Sequence, residues 1–197
     1  MKKLMMIAAM MVATLSASAQ FAPGTFSLQP KVGVDLAKIS FDDSKFKFGL
    51  AAGIEGQYQI NDWFGLAAAV MYQQQGSKIK DIDLKYNTEY LNIPVTAKFY
   101  VAKGLSLNAG LQLGFLTKAK EKEYDLDVKD LCNKVDFSIP LGVGYEFENG
   151  LAFDFRYNLG LSNVFNKDKM GNLSTLVGDA SNKNQVLMLT VGYKFGL

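Results

Sequence analysis

The stretch Leu151-Ala-Phe-Asp-Phe-Arg-Tyr-Asn-Leu-Gly-Leu-Ser162 alternates large apolar residues with small, polar or charged ones. A period of two is that of a β-strand, whose successive side chains point to opposite faces. The length suits a tilted strand that crosses a bilayer, which needs about 9–11 residues. One face is aromatic and aliphatic, and the other carries Asp154 and Arg156. The pattern predicts a transmembrane β-barrel strand, with lipid on the apolar side and a polar interior on the other.

The same alternation returns in seven further segments of the chain. They cover residues 26–38, 46–60, 63–75, 89–101, 105–116, 135–147 and 185–195. We therefore expect an all-β fold, an eight-stranded antiparallel up-and-down transmembrane β-barrel. Pro30 cannot donate to a β-ladder, so it is expected near a strand end or a bulge.

The connections between these segments alternate in length. Short turns follow the second, fourth and sixth strands, and long polar stretches at residues 39–45, 76–88, 117–134 and 163–184 follow the others. Bacterial barrels have short periplasmic turns and longer extracellular loops, so both termini are expected in the periplasm. An aromatic band at the short-turn end fits the headgroup level of a membrane. Its members are Tyr58, Phe64, Phe99, Tyr145, Phe147, Phe153, Tyr193 and Phe195.

The first residues have the features of an export signal. Lys2 and Lys3 precede the apolar run from Leu4 to Leu15, and Ala17-Ser18-Ala19 is a small-x-small cleavage site. The apolar run is too short for a helix that spans a bilayer. We predict a signal peptide over residues 1–19, cleaved after Ala19, and a barrel domain over residues 20–197. The destination is the bacterial outer membrane.

A soluble barrel of the lipocalin kind is the alternative architecture. It would turn the apolar face inward and the polar face to water. Alternation alone does not separate the two arrangements. The many charged and very small residues on the second face favour a packed polar interior, because a lipid-binding cavity would not be lined with charges. The membrane barrel is therefore the preferred interpretation.

The composition argues against an enzyme. The chain has no histidine, which is the usual general base near neutral pH and the commonest nitrogen ligand of zinc. Its 21 basic and 19 acidic residues are nearly balanced, which does not indicate a nucleic-acid partner. Its single cysteine, Cys132, excludes an internal disulfide and is expected as an exposed loop thiol. Asp125, Asp127 and Asp130 lack the glycine and glutamate of an EF-hand loop. No metal and no cofactor is predicted.

Charged residues on the inward face form the candidate site. Arg156 is the only arginine of the chain, and Asp154 lies two residues away on the same face. A buried guanidinium needs carboxylate partners, and the candidates are Asp154, Glu55 and Asp136, in that order. With Lys98 these residues define a predicted interior charge network. The network is interpreted as a structural plug; a polar conduit or switch is the alternative.

The long loops are the second candidate region. Residues 76–88 and 117–134 carry mixed runs of lysine, aspartate and glutamate. Such runs are usually solvated surface. The functional alternatives are contact with lipopolysaccharide phosphates through lysines, and contact with a partner protein. The expected partners are outer-membrane lipid and lipopolysaccharide, with the barrel assembly machinery during biogenesis.

Two motifs resemble a known family. The segment Tyr90-Leu-Asn-Ile-Pro-Val-Thr-Ala-Lys-Phe-Tyr100, preceded by Val70-Met-Tyr-Gln-Gln-Gln-Gly-Ser-Lys78, is similar to the PorT-like outer-membrane β-barrel proteins of Bacteroidota. The matching positions are Tyr72, Gln73, Gly76, Lys78, Tyr90, Leu91, Ile93, Pro94 and Lys98. The resemblance implies an outer-membrane barrel and no particular activity, since only some relatives take part in protein secretion.

These observations lead to three hypotheses about function. The first is a non-enzymatic outer-membrane barrel with a role in envelope integrity or surface interaction. The second is an accessory component of a protein secretion or transport system. The third is a narrow channel, which is less favoured because eight strands leave an interior just wide enough for side chains.

Overall fold

The structure is a computed structural model that describes residues 22–40, 44–79, 85–121, 129, 132–164 and 182–197. Their backbone forms eight long antiparallel strands, as the alternation predicts. The strands are β1 (Phe26–Ile39), β2 (Lys47–Asn61), β3 (Phe64–Ile79), β4 (Lys85–Ala102), β5 (Leu105–Glu121), β6 (Val135–Glu146), β7 (Leu151–Asn163) and β8 (Lys183–Tyr193). The predicted signal peptide at residues 1–19 lies outside the described residues.

The sheet closes on itself. Each strand pairs with the next in sequence, and β1 pairs with β8 through a register that places Val34 opposite Leu189. The short segment Phe195–Gly196 extends this seam, because Leu28 pairs with Phe195. The seam is interrupted at Pro30, which lies between the pairs Leu28–Phe195 and Lys31–Gly192. Proline has no amide hydrogen to donate, so its place at the interruption agrees with the expectation from the sequence.

The two faces of the sheet have opposite chemistry. Apolar side chains point away from the barrel, so that Leu111 is 68% and Val32 58% exposed. Charged side chains point inward, and Lys31 and Arg156 are only 2% and 1% exposed. A soluble barrel would show the reverse arrangement. The distribution therefore confirms the membrane barrel over the lipocalin alternative.

The predicted aromatic band is present at the short-turn end. Phe64 and Phe99 lie in a tilted arrangement with ring centroids 5.1 Å apart, and Tyr145 contacts Phe147 edge-on at 4.7 Å. Trp63 extends the band beyond the predicted set, with its ring 6.4 Å from that of Phe99. Amphipathic rings of this kind favour the membrane–water interface. Among the described residues, no helix is long and apolar enough to span a membrane.

Three strands reach further toward the long loops than the sequence predicts. β3 continues to Ile79, β4 begins at Lys85, and β5 continues to Glu121. The predicted loop at 76–88 therefore begins too early and ends too late, and the predicted loop at 117–134 begins too early. The polar residues of these extensions do not alternate with apolar ones, so the pattern does not identify them as strands. The extensions are held by backbone ladder pairs such as Gly76–Asn87 and Asn87–Lys120. Strands that stand above the membrane need no apolar face.

Two short turns require glycine. Gly104 has φ of 76° and Gly150 has φ of 87°, in the left-handed region that other residues rarely adopt. Gly104 is tied to the end of β6, because the Glu146 amide donates to its carbonyl at 2.8 Å. Both turns lie at the end of the barrel that carries the aromatic band.

Candidate functional site

Glu55 is the centre of an ion-pair network inside the barrel. It projects inward from β2, and its Oε2 accepts a hydrogen bond from Lys31 Nζ of β1 at 2.8 Å. Lys98 Nζ of β4 lies 2.7 Å from its Oε1. Arg156 Nη2 of β7 lies 3.5 Å from its Oε2. One carboxylate thus holds three cations from three other strands, two of which do not neighbour β2 in the sheet.

Asp154 is the second carboxylate of the network. Its Oδ2 accepts from Lys31 Nζ at 2.8 Å, and its Oδ1 accepts from Asn108 Nδ2 at 3.3 Å. Lys31 therefore bridges Glu55 and Asp154, although β1 and β7 are not adjacent. Buried charges are tolerated when each is paired and hydrogen-bonded, which is the condition that this bridge meets.

The network continues toward the short-turn end. Lys194 Nζ lies 2.7 Å from Glu146 Oε2 and donates to Gln57 Oε1 at 3.0 Å. The Tyr100 hydroxyl donates to Glu146 Oε1 at 3.0 Å. Lys98 connects this layer to Glu55, because its Nζ also lies 3.6 Å from Glu146 Oε1. Charged and polar side chains therefore fill the barrel from its middle to its short-turn end.

The structure brings together four of the five residues predicted for the site. Glu55, Lys98, Asp154 and Arg156 are in the network, whereas Asp136 is not. Arg156 lies opposite Gly142 on β6, and Asp136 is six residues further along that strand, a separation of about 20 Å at ~3.3 Å per residue. Asp136 Oδ1 instead accepts from the Ser162 hydroxyl at 2.7 Å.

The expected order of partners for Arg156 is also different. Asp154 was expected first, but the ion-pair partner of Arg156 is Glu55, and Asp154 pairs with Lys31. Residues two apart on one strand project in parallel, which separates their head groups. Lys31, Glu146 and Lys194 also belong to the network, although they are not among the five predicted residues. The inward parity of these residues was visible, but the cross-barrel pairing depends on strand register and tilt.

A cluster of mostly apolar buried side chains lies at the long-loop end of the described barrel. We call it the mouth cluster, and its members are Ile39, Tyr90, Leu116, Ala119, Cys132 and Val164. The prediction of an exposed thiol at Cys132 is wrong, because this residue is 1% exposed. The Leu116 amide donates to Lys134 O and the Asn133 amide to Val164 O, both in the range 2.8–2.9 Å. These bonds hold the segment after the loop against the barrel rim, so the thiol packs inside.

Asp35 is a further inward carboxylate, with 0% exposure. Neither of its oxygens has a hydrogen-bond partner within the described chain. The residue lies on β1 between Gly49 of β2 and Met188 of β8. It is therefore buried apart from the Glu55 network.

One charged contact lies outside the membrane-spanning strands. Lys103 in the β4–β5 turn contacts Glu148 in the β6–β7 turn. Their hydrogen bond raises the pKa of Lys103 and lowers that of Glu148. Both side chains are solvent-exposed, so the contact adds little stability. Within the described ranges no three histidine, cysteine or acidic residues are placed to hold a metal, and Asp125, Asp127 and Asp130 lie outside those ranges.

A closed eight-stranded barrel with a lipid-facing apolar surface, an aromatic belt and a charged interior defines an outer-membrane β-barrel protein. The chain belongs to the family described as "Outer membrane protein beta-barrel domain", which matches residues 18–166. No curated protein matches the sequence.

Solved structures show the same fold at low sequence identity. The attachment invasion locus protein Ail of Yersinia pestis, in complex with the heparin analogue sucrose octasulfate, is 17% identical with a TM-score of 0.54. That match covers 88% of this chain and 99% of the other. Neisserial surface protein A is 18% identical with a TM-score of 0.56, over 86% of this chain and 97% of the other.

Proposed function

We propose that this protein is a non-enzymatic barrel of the outer membrane that supports envelope integrity through contacts at its long-loop rim. The observation that carries the proposal is the filled interior, in which Glu55 and its three cations occupy the lumen. A lumen filled in this way is not an open diffusion pore, and the absence of histidine removes the usual general base. Both termini then lie in the periplasm, and the long loops face outward.

The ligand at this rim is the phosphate of lipopolysaccharide. Lys38 and Lys183 lie between buried neighbours, Ile39 on one strand and Asn184 on the other, so their side chains face outward at the long-loop end. Lys38 Nζ is 5.1 Å from the centre of the Phe46 ring, which holds it against the outer surface. Lysines at the membrane surface bind anionic headgroups through charge-assisted contacts.

The proposal is tested with the refolded protein in vesicles that contain lipopolysaccharide. The Lys38→Gln/Lys183→Gln variant should bind lipopolysaccharide several-fold more weakly than wild type, and dephosphorylated lipopolysaccharide should bind both proteins equally. Lys103→Gln is the matched control, because Lys103 is exposed at the opposite end of the barrel. Equal binding by all three proteins would refute the rim contact.

A deletion strain tests the role in the envelope. Loss of the protein should increase sensitivity to detergent, with export of secreted proteins unchanged. The reverse result would favour the accessory role in secretion. Wild-type protein should be found in the outer-membrane fraction and show heat-modifiable migration on gels.

Membership of the PorT-like group is a further part of the proposal. The residues of the first motif lie at the end of β3 and those of the second on β4, and these strands pair through Tyr72–Leu91 and Gln73–Tyr90. The two motifs thus lie side by side on one β-hairpin, as expected if they form a single structural feature of that family. An alignment of PorT-like sequences with paired substitutions at these positions would support the assignment, and independent variation would oppose it.

A further inference from the structure

Arg156 is a buried guanidinium whose hydrogen-bonding capacity the protein does not meet. It is 1% exposed, and its contact with Glu55 is an ion pair of 3.5 Å. Neither Nε nor Nη2 donates a hydrogen bond to a described residue. A buried charged donor normally forms hydrogen bonds as well as ion pairs, because these bonds compensate for the loss of water. Part of this guanidinium therefore requires an acceptor that the described chain does not provide.

Two further donors in the same condition are neighbours of Arg156 on the inner face. Asn158 lies two residues along β7, about 7 Å away at ~3.3 Å per residue, and is 2% exposed. Thr190 of β8 lies two residues from Met188, the direct pairing partner of Arg156, and is 1% exposed. Such diagonal neighbours are about 7–8 Å apart, within reach of a long side chain. Both amide atoms of Asn158 and the Thr190 hydroxyl lack a hydrogen-bond partner among the described residues.

The strands beside these donors do not supply a side-chain acceptor. Gly142 of β6 pairs directly with Arg156, and Gly33 of β1 pairs directly with Thr190. Glycine has no side chain, so neither position can contribute an oxygen. Met188, which lies between Arg156 and β1, already accepts a hydrogen bond from Gln73 through its sulfur at 3.0 Å.

The charges of the network do not balance. Its ion pairs join four cations to three carboxylates, which are Lys31, Lys98, Arg156 and Lys194 on one side and Glu55, Glu146 and Asp154 on the other. One positive charge is thus in excess among side chains that are buried or nearly so. Buried charge is costly unless it is paired, so the excess favours an additional anion.

The other interior carboxylates do not supply this charge by contact. Asp136 accepts from Ser162, six residues along β6 from the position that pairs with Arg156. Asp35 is separated from Arg156 by Met188, which pairs with both residues. Neither Asp35 oxygen has a hydrogen-bond partner within the described chain.

We propose that the barrel binds one small monovalent anion of the halide class between Arg156, Asn158 and Thr190. The guanidinium Nε and Nη2, the Asn158 amide and the Thr190 hydroxyl donate to the ion, and charge-assisted bonds of this kind are the strong ones. One negative charge balances the excess of the network. A polyanion such as phosphate does not fit, because the carboxylates of Glu55 and Asp154 belong to the same network and repel it. The proposal goes beyond the contact with lipopolysaccharide and does not depend on it.

The first experiment measures urea unfolding by Trp63 fluorescence in phosphatidylcholine vesicles, with sodium chloride or sodium gluconate at equal ionic strength. Gluconate is too large for a buried site, so only chloride should stabilise the wild-type protein. An ion that binds the folded state alone shifts unfolding by mass action, so chloride at about ten times its dissociation constant should lower the unfolding equilibrium constant about tenfold. Asn158→Leu and Arg156→Met should each abolish the difference between the two salts.

Asn92→Leu is the matched control, because it is the same chemical change at a buried amide on β4 that donates to Gln73 Oε1 at 2.6 Å. This variant should be less stable than wild type in both salts, yet it should keep the full response to chloride. Equal stability of the wild-type protein in chloride and gluconate would overturn the proposal. A chloride response that persists in Asn158→Leu and Arg156→Met would overturn it too, since the ion would then act elsewhere.

A second experiment locates the ion without any variant. Crystals of the wild-type protein grown in sodium bromide should show an anomalous scattering peak inside the barrel, within hydrogen-bond distance of Arg156 Nε. The peak should be replaced by chloride density when the crystals are grown in sodium chloride. Bromide peaks found on the outer surface alone would refute the site, even if the variants of the first experiment failed to fold.

Discussion

Arg156 Nη2 lies 3.5 Å from Glu55 Oε2 inside the barrel, although the two residues belong to strands that are not neighbours in the sheet. Glu55 also holds Lys31 and Lys98 at shorter distances, 2.8 and 2.7 Å. The carboxylate is therefore shared by three cations, and the guanidinium is its most distant partner. The consequence is an asymmetry: Glu55 is the carboxylate that all three cations share, whereas Glu55 keeps two cations when any one of the three is removed.

The first prediction concerns this asymmetry. Glu55→Gln should lower the free energy of unfolding by about 3–5 kcal/mol, because Arg156 loses its ion-pair partner and Lys31 and Lys98 each lose one of two carboxylates. Arg156→Met, which keeps much of the side-chain volume, should cost less, since Glu55 retains both lysines. Reversible urea unfolding in phospholipid vesicles, followed by fluorescence of the single Trp63, measures both values. An equal or larger loss for Arg156→Met would show that Arg156 is the centre of the network.

The second prediction concerns the bridge between Glu55 and Asp154. Lys31→Met should be strongly destabilising, because both carboxylates lose a hydrogen bond of 2.8 Å. Adding Asp154→Asn should restore part of the loss, since one of the unpaired charges is removed. The double-mutant cycle should give a coupling energy of about 0.5–3 kcal/mol. The pair Lys38 and Asp154 provides the control, because Lys38 lies against Phe46 on the outer surface at the long-loop end, and its coupling should be near zero.

The alternation of residues was sufficient to predict the fold. The period of two correctly predicts which residues face lipid, and Leu111 and Val32 are exposed on the outer face as expected. The short turns indicate that consecutive strands are neighbours. Strand ends above the membrane were missed because Gly76, Ser77 and Asn87 have no apolar face to mark them. Their pairing is a backbone property that composition does not reveal.

The candidate site was predictable only in part. Parity places Arg156, Glu55 and Lys98 inside, but it does not determine which of them meet. That depends on the tilt and stagger of the closed sheet, which bring β7 across to β2 and leave Asp136 in a different layer. Cys132 was misplaced for a related reason, because the following residues Asn133 and Lys134 are bonded to Val164 and Leu116, which are distant in the sequence.

The third prediction concerns the turn at Gly104. Gly104→Ala should destabilise the barrel by more than about 1–2 kcal/mol, because φ is 76° and an added Cβ would lie 2.3 Å from Glu146 O. Gly24→Ala is the matched control, since Gly24 has φ of 85° and no atom within 4 Å of the added Cβ. Its loss should reflect the backbone conformation alone. In the same urea titration, Gly104→Ala should therefore be less stable than Gly24→Ala. Equal free energies of unfolding for the two variants would exclude a contribution from the clash with Glu146 O.

The fourth prediction concerns Asp35, the buried carboxylate outside the network. Lys47 attracts it electrostatically, but Lys47 Nζ donates to Gln75 O at 2.9 Å, and both Asp35 oxygens lack a hydrogen-bond partner within the described chain. Asp35→Asn keeps the shape and removes a charge that is costly to bury, so it should raise the stability by about 1–3 kcal/mol. Asp154→Asn is the same chemical change at a carboxylate that is paired with Lys31 and Asn108, and it should lower the stability. Parallel unfolding titrations compare the two variants under one condition. A loss of stability in both variants would mean that the attraction between the Asp35 carboxylate and Lys47 outweighs the cost of burying the charge.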